Sequence, residues 1–151
     1  MSSIRAENTR TSRLPGSARA IVSGVDSVFS RLPLLLAVCL AGALGSGARY
    51  LLSIAIPSRE FPFATLSVNL IGSFMMGFVM PWGVRQQWSP QALTAVTTGL
   101  LGGFTTYSAF NAQATVYFQT GAWRTGIIYM IATIAGCMMG GLAGYALGSP
   151  R

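Results

Sequence analysis

The chain has 151 residues, 52% of them hydrophobic and only 9% charged, where an ordinary soluble domain carries about 25% charged residues. It has no histidine, its acids are Glu7, Asp26 and Glu60, and all ten basic residues are arginine. This composition belongs in a membrane. It lacks the ligands of a zinc site and any plausible nucleophile–base pair. The net charge of +7 sits in an N-terminal tail and at loop positions, a pattern of membrane topology or anionic-lipid contact rather than of nucleic-acid binding.

Residues 1–31 are rich in Ser, Arg and Thr and cannot build a core, so they are expected to form a disordered tail. Their Arg-rich, acid-poor make-up also fits a transit peptide or an overlong signal peptide, and initiation near Val22, Val25 or Val28 would remove them. Residues 32–148 form the folded domain. Four apolar segments are expected as membrane-crossing helices: Pro33 to Ile56, Phe63 to Pro81, Gln91 to Phe118 and Arg124 to Leu147. Each approaches or exceeds the roughly 20 residues needed to span the hydrocarbon core. Connections are short, so neighbouring helices run antiparallel. Trp82, Trp88 and Trp123 fall in the connections, where interfacial aromatic anchors belong.

Small residues recur at every fourth position in two segments: Ala37, Ala41 and Gly45, then Gly136, Gly140, Gly144 and Gly148. Such ridges let helix backbones approach closely; packing within one subunit and a dimer face are both open. Cys39 and Cys137 lie in apolar runs without metal-ligand or CxxC spacing and read as small buried hydrophobes. With the tail set aside, Arg31, Arg85 and Arg151 on one side face Arg49, Arg59 and Arg124 on the other. That balance removes the usual orientation bias and allows insertion both ways and an antiparallel dimer.

The third segment holds Gly102-Gly103-Phe104-Thr105-Thr106-Tyr107-Ser108, two glycines and then four hydroxyl residues. Non-helical backbone at membrane depth is tolerated only inside protein or beside a wet cavity. The run is therefore expected to break the third helix mid-membrane, either around an ion or as a packing kink. Asn69, mid-helix in the second segment, must face protein or water. It is either interhelical glue, worth about 0.6 kcal/mol, or a side-chain N–H donor to an anion.

Three stretches resemble one family in order: Ala41-Gly42-Ala43-Leu44-Gly45-Ser46-Gly47-Ala48-Arg49-Tyr50, Thr65-Leu66-Ser67-Val68-Asn69 with Gly72-Ser73-Phe74, and the Gly-Gly-Phe-Thr-Thr-Tyr-Ser run. Over residues 33–148 the chain resembles the Fluc-type fluoride channels, also called CrcB. The resemblance implies an all-α integral membrane protein of four transmembrane helices in the cell inner (plasma) membrane. It further implies a dual-topology antiparallel homodimer with two pores and one structural sodium ion at its centre. The sodium would be held by backbone carbonyls of Gly102 and Thr105 from both subunits. A paralogous partner, in place of the second copy, is the alternative if the tail fixes the orientation.

The same resemblance assigns the fluoride pore to Asn69, Tyr107, Ser108, Phe110, Tyr129 and Thr133, and a vestibule position to Arg49. The family carries two phenylalanines around a Ser-Thr pair on the third helix; here the positions read Tyr107-Ser108-Ala109-Phe110. Fluoride is small and strongly hydrated, so its pore must replace water with N–H, O–H and the positive edges of aromatic rings. A buried Lys or Arg would trap the ion; the second, third and fourth segments hold none at depth. Arg49, near the end of the first helix, reads equally as an interface anchor. Tyr129 and Thr133 are four apart and share one helix face. Two alternatives stand beside the channel. A small proton-coupled multidrug exporter would need a membrane carboxylate, and the four segments contain none. A non-transporting assembly subunit would use the glycine ridges but leave Asn69 and the hydroxyl-rich run unexplained.

Overall fold

The computed structural model describes residues 16–57 and 60–149, with side chains described from Arg31 onward. The described residues are helical and contain no strand. The helices are α1 (Gly16–Ala55), α2 (Phe63–Arg85) and α3 (Pro90–Thr94), which runs on as a π-helix, Ala95–Leu101. There follow a three-residue α4 (Gly102–Phe104), α5 (Tyr107–Gln119) and α6 (Trp123–Gly148). Two compact units divide the chain, Met1–Leu36 and Ala37–Arg151. In the first, α1 begins at Gly16, so the backbone from Gly16 to Arg31 is helical. Helix formers such as Ala18 and Ala20 outweigh the serines there. Residues 1–15 of the expected tail lie outside the described residues. The candidate site lies wholly in the second unit.

Among the described residues, three stretches are long and apolar enough to cross a membrane: Arg31–Ala55, Phe63–Arg85 and Trp123–Gly148. The expected third crossing is cut into pieces, none of which reaches that length alone. α2 continues past Pro81 to Arg85, which places Trp82 in its last turn rather than in a connection. Proline removes one helical N–H, but the turn survives. The chain then reverses on a Schellman motif: Trp88 N–H donates to Gly83 C=O (2.9 Å) and Gln87 N–H to Val84 C=O (3.0 Å), with Gln87 at φ 56°. The same motif ends α5. Ala122 N–H donates to Tyr117 C=O (2.8 Å) and Gly121 N–H to Phe118 C=O (3.3 Å), with Gly121 at φ 78°.

α2 and α6 pack along their whole length, and their direction is legible from the pairing. Gly136 faces Leu70, Gly144 faces Phe74 and Phe78, and Gly148 faces Phe78 and Pro81. Numbers rise together on both helices, so α2 and α6 are parallel. α1 pairs in the same sense with the segment after α3: Gly99 against Val38 and Ala41, Gly103 against Gly42. Both small-residue ridges therefore pack inside one chain. A Cβ on Gly103 would lie 2.5 Å from Gly42 C=O, so that crossing exists only because Gly103 has no side chain, whereas a Cβ on Gly42 would meet Gly99 C=O at an ordinary 3.7 Å. Thr94 and Thr97 hydroxyls donate to Pro90 and Leu93 carbonyls, both at 2.8 Å. Such back-bonding loosens a helix, and here it accompanies the wider π-helical turns.

Candidate functional site

The helical path breaks at Thr105 and Thr106, both extended (φ −78°, ψ 157° and φ −149°, ψ 109°). The two glycines before them stay helical. Gly103 is held there by its close approach to Gly42 of α1, and the chain leaves the helix at the hydroxyl pair that follows. A helix end leaves carbonyls and N–H groups without partners, and each side of this break meets them with side chains. Leu101 C=O accepts from Thr105 N–H (3.0 Å) and Thr105 Oγ1 (3.1 Å). Gly103 C=O accepts from Arg49 Nε (3.2 Å) and Ser46 Oγ (3.3 Å). On the far side Thr106 caps α5: its Oγ1 accepts from Ala109 N–H at 3.2 Å and lies 3.2 Å from Ser108 Oγ.

Asn69 completes the set. Its Oδ1 accepts from Thr106 N–H at 2.8 Å and its Nδ2 donates to Thr106 C=O at 3.0 Å. The carboxamide thus pairs with the Thr106 peptide as a strand neighbour would. In an unbroken helix the Thr106 N–H would belong to Gly102 C=O. With that N–H turned to Asn69, Gly102 C=O loses its helical partner, and the extended Thr105 carries its own carbonyl off the helix axis.

Two recesses flank the break. A groove of about 540 Å³ runs between α2, the break and α6. Asn69, Thr105, Tyr107, Phe110 and Thr133 all border it. A second recess of about 290 Å³, bordered by Ser46, Arg49, Ser53, Thr65 and Thr106, lies between α1 and α2. Asn69 and Thr106 sit where the two recesses come together. Neither lining contains an acidic residue, and Arg49 carries the only charge in either.

The aromatic residues form a continuous file. Tyr107, 77% exposed, has its ring centroid 5.6 Å from Phe110, which lies 5.2 Å from Tyr129. Tyr129 is fully buried and meets Phe61 edge-on at 5.5 Å. It is a step removed from the groove, behind Phe110, and its hydroxyl donates to Gln113 Oε1 at 2.8 Å. Thr133, 5% exposed, has a buried Oγ1 without a hydrogen-bond partner among the described residues. Its neighbour one turn back, Tyr129, gives its proton to Gln113 instead. Ser108 is exposed and outside the groove, held to Thr106.

The structure thus brings Asn69, Tyr107, Phe110 and Thr133 to one groove, puts Arg49 across the break from it, and sets Tyr129 and Ser108 at its margins. Sequence reasoning missed three residues. Thr106 supplies the peptide that Asn69 binds. Gln113 holds Tyr129, and its position one turn after Phe110 on the same face was the available signal. Cys137, expected only as a buried hydrophobe, borders the groove one turn beyond Thr133; it and Cys39 are both free thiols.

The description "CrcB-like protein, Camphor Resistance (CrcB)" matches residues 36–145. The chain is 40% identical over 113 residues to the fluoride-specific ion channel FluC of Anaeromyxobacter sp. (strain K), covering 72% of this chain and 90% of that one. It is likewise 40% identical over 112 residues to FluC of Gloeobacter violaceus, with the same coverage. FluC 2 of Geobacillus kaustophilus is 34% identical over 120 residues, 77% of this chain and 93% of its own. With a match over most of its length and an interrupted helix pinned by Asn69, the chain belongs to the CrcB family.

Proposed function

We propose that this protein is a fluoride-selective passive channel that lowers cytoplasmic fluoride, a multi-pass protein of the cell inner (plasma) membrane. The observation that carries the reading is the groove beside the pinned break. It is bordered by the Asn69 amide, by Thr133 and by the aromatic rings of Tyr107 and Phe110, with no acid and no cation in its lining. Such a lining can replace the water of a small anion and still release it. Protonated fluoride enters cells as a neutral acid and is trapped as the anion; a negative-inside potential then drives it out through the pore without fuel.

The topology supports four crossings. α2 and α6 run parallel, so the chain between them must return across the thickness that they span. The 23 residues of α2 cover about 34 Å, enough for a bilayer core. The break falls near the middle of the return, with five, seven and three helical residues before it and 13 after it. That supports a third helix broken mid-membrane. For the sodium ion, Gly102 and Thr105 carbonyls are the fitting ligands, one deprived of its helical partner and the other turned off the axis. A hard cation takes several oxygens, so two carbonyls call for the same pair from a second, antiparallel copy. When bound, the ion would tie the two broken helices together; Arg49, fixed on Gly103 C=O, would stand beside it and hold positive potential in the adjoining recess.

The test is fluoride and chloride efflux from liposomes holding the purified protein, with sodium present and a potassium ionophore for counter-current. Fast fluoride release without chloride release is expected. Release of neither ion from well-folded protein would refute the channel and favour an assembly subunit.

A further inference from the structure

An asparagine amide carries one acceptor oxygen and two N–H bonds, and either end can usually face a given neighbour. Here a backbone peptide removes the ambiguity. Thr106 N–H can only donate and Thr106 C=O can only accept, so the two contacts at 2.8 and 3.0 Å fix Oδ1 on the first and Nδ2 on the second. The pairing engages one lone pair of the oxygen and one N–H, leaving the second N–H as the donor that the pair does not use. Asn69 is 7% exposed and borders the groove.

The geometry points to a positioning role for the Thr106 backbone: its N–H and C=O fix which way the Asn69 amide faces and leave the second Nδ2–H to meet an anion. An unpinned amide would flip and present oxygen lone pairs to the ion for part of the time. The neighbouring groups are consistent with that role. Thr106 Oγ1 is itself committed to Ala109 N–H, and Gly103 C=O to Arg49, so neither competes for the Asn69 amide. The inference rests on the reading of Asn69 as an anion donor in the pore.

The experiment uses the full chain assembled by semisynthesis with the α-hydroxy analogue of threonine at position 106. The ester lacks the Thr106 N–H, keeps the side chain and the Thr106 carbonyl, and sets an ester oxygen against Asn69 Oδ1; because it also makes the Thr105 carbonyl an ester carbonyl, efflux is compared only for protein that keeps its assembly state in sodium. A matched ester at Ala109 removes the N–H that Thr106 Oγ1 accepts, one hydrogen bond of the same break without touching Asn69. In liposomes, fluoride efflux is expected to fall about tenfold with the ester at 106 and less than about twofold with the ester at 109. Equal losses in both would reduce Thr106 to helix stability and overturn the inference, as would undiminished efflux from the ester at 106. A second measurement needs no variant. With Asn69 labelled by ¹⁵N in its side chain, added fluoride should shift one Nδ2 proton resonance and leave the other, held by Thr106 C=O, in place. Equal shifts in both protons, or none, would overturn the positioning role even where the unsubstituted protein conducts. No fluoride efflux from the unsubstituted protein would instead refute the channel reading, and this inference with it.

Discussion

Gly77 and Gly141 face each other across the α2–α6 contact, yet they should respond oppositely to the same substitution. A Cβ built on Gly77 overlaps Gly141 C=O and stands 2.9 Å from its carbon. The obstacle is backbone, so no rotamer relieves it and the helices must part by about 1 Å, a gap that forfeits a quarter to a half of each local dispersion contact. Overpacking of this kind costs about 3 kcal/mol at the upper end of its range. Alanine gives back about 1 kcal/mol of helix propensity, leaving Gly77→Ala destabilised by about 2 kcal/mol. A Cβ on Gly141 meets only Ser73 C=O, at 3.7 Å, ordinary contact. Gly141→Ala should therefore be neutral or stabilised by up to about 1 kcal/mol. The same logic within the fourth-helix ridge condemns Gly144→Ala, which overlaps Phe74 C=O, and spares Gly140→Ala, whose nearest neighbour is Leu70 C=O at 3.5 Å. Denaturant unfolding in detergent, followed by tryptophan fluorescence, would measure all four. Equal damage from Gly77→Ala and Gly141→Ala would refute the packing argument and place Gly141 against another chain.

Four further outcomes follow from the site and the turns. Asn69→Ala removes both contacts to the Thr106 peptide and should cost about 2 kcal/mol or more of stability while abolishing most fluoride efflux; wild-type efflux would sink the site assignment. Reaction of Cys137 with a small thiol reagent should block efflux because the thiol borders the groove, and Cys137→Ala should abolish that block; a block that persists in Cys137→Ala protein would trace to Cys39 instead. Gln87→Gly should stabilise by about 0.5–1 kcal/mol, since a non-glycine residue at φ 56° is strained, whereas Gly121→Ala, at φ 78°, should destabilise by about 1 kcal/mol; thermal melts in detergent would show whether the two signs differ. Exchange of sodium for a large organic cation should weaken the dimer, read by size-exclusion chromatography, if the Gly102 and Thr105 carbonyls hold the ion.

Much of the fold was legible before any coordinates because its signals are local. Runs of apolar residues of bilayer length placed the end of α1 and both ends of α2 and α6 to within a few residues, whereas α1 starts at Gly16, well before the apolar run that begins at Pro33. Trp82 lies in the helix rather than the loop because α2 runs on through Pro81 to Arg85, despite the lost N–H and the crowding of the proline ring on the preceding turn. The break was located only approximately: glycines and hydroxyls together announced it, but which of them left the helix depended on what each touched. Gly103 stays helical against Gly42, and Thr106 departs because Asn69 supplies both of its backbone partners. Gln113 and Cys137 went unassigned since their roles arise from neighbours distant in the chain, Tyr129 for the one and the α2–α6 groove for the other.

The sequence by itself determined that the chain lives in a membrane, how many apolar segments it has, where they turn, and that Asn69 and the hydroxyl-rich run are anomalous there. These follow from composition, length and turn chemistry, which act over a few residues. Only the tertiary structure decided that the small-residue ridges serve the packing of α1 on the third segment and of α2 on α6. It alone showed that Asn69 is bound to the Thr106 peptide rather than standing unpaired. Close approach and hydrogen-bond pairing depend on which backbones meet, and a one-dimensional pattern offers several partners for each.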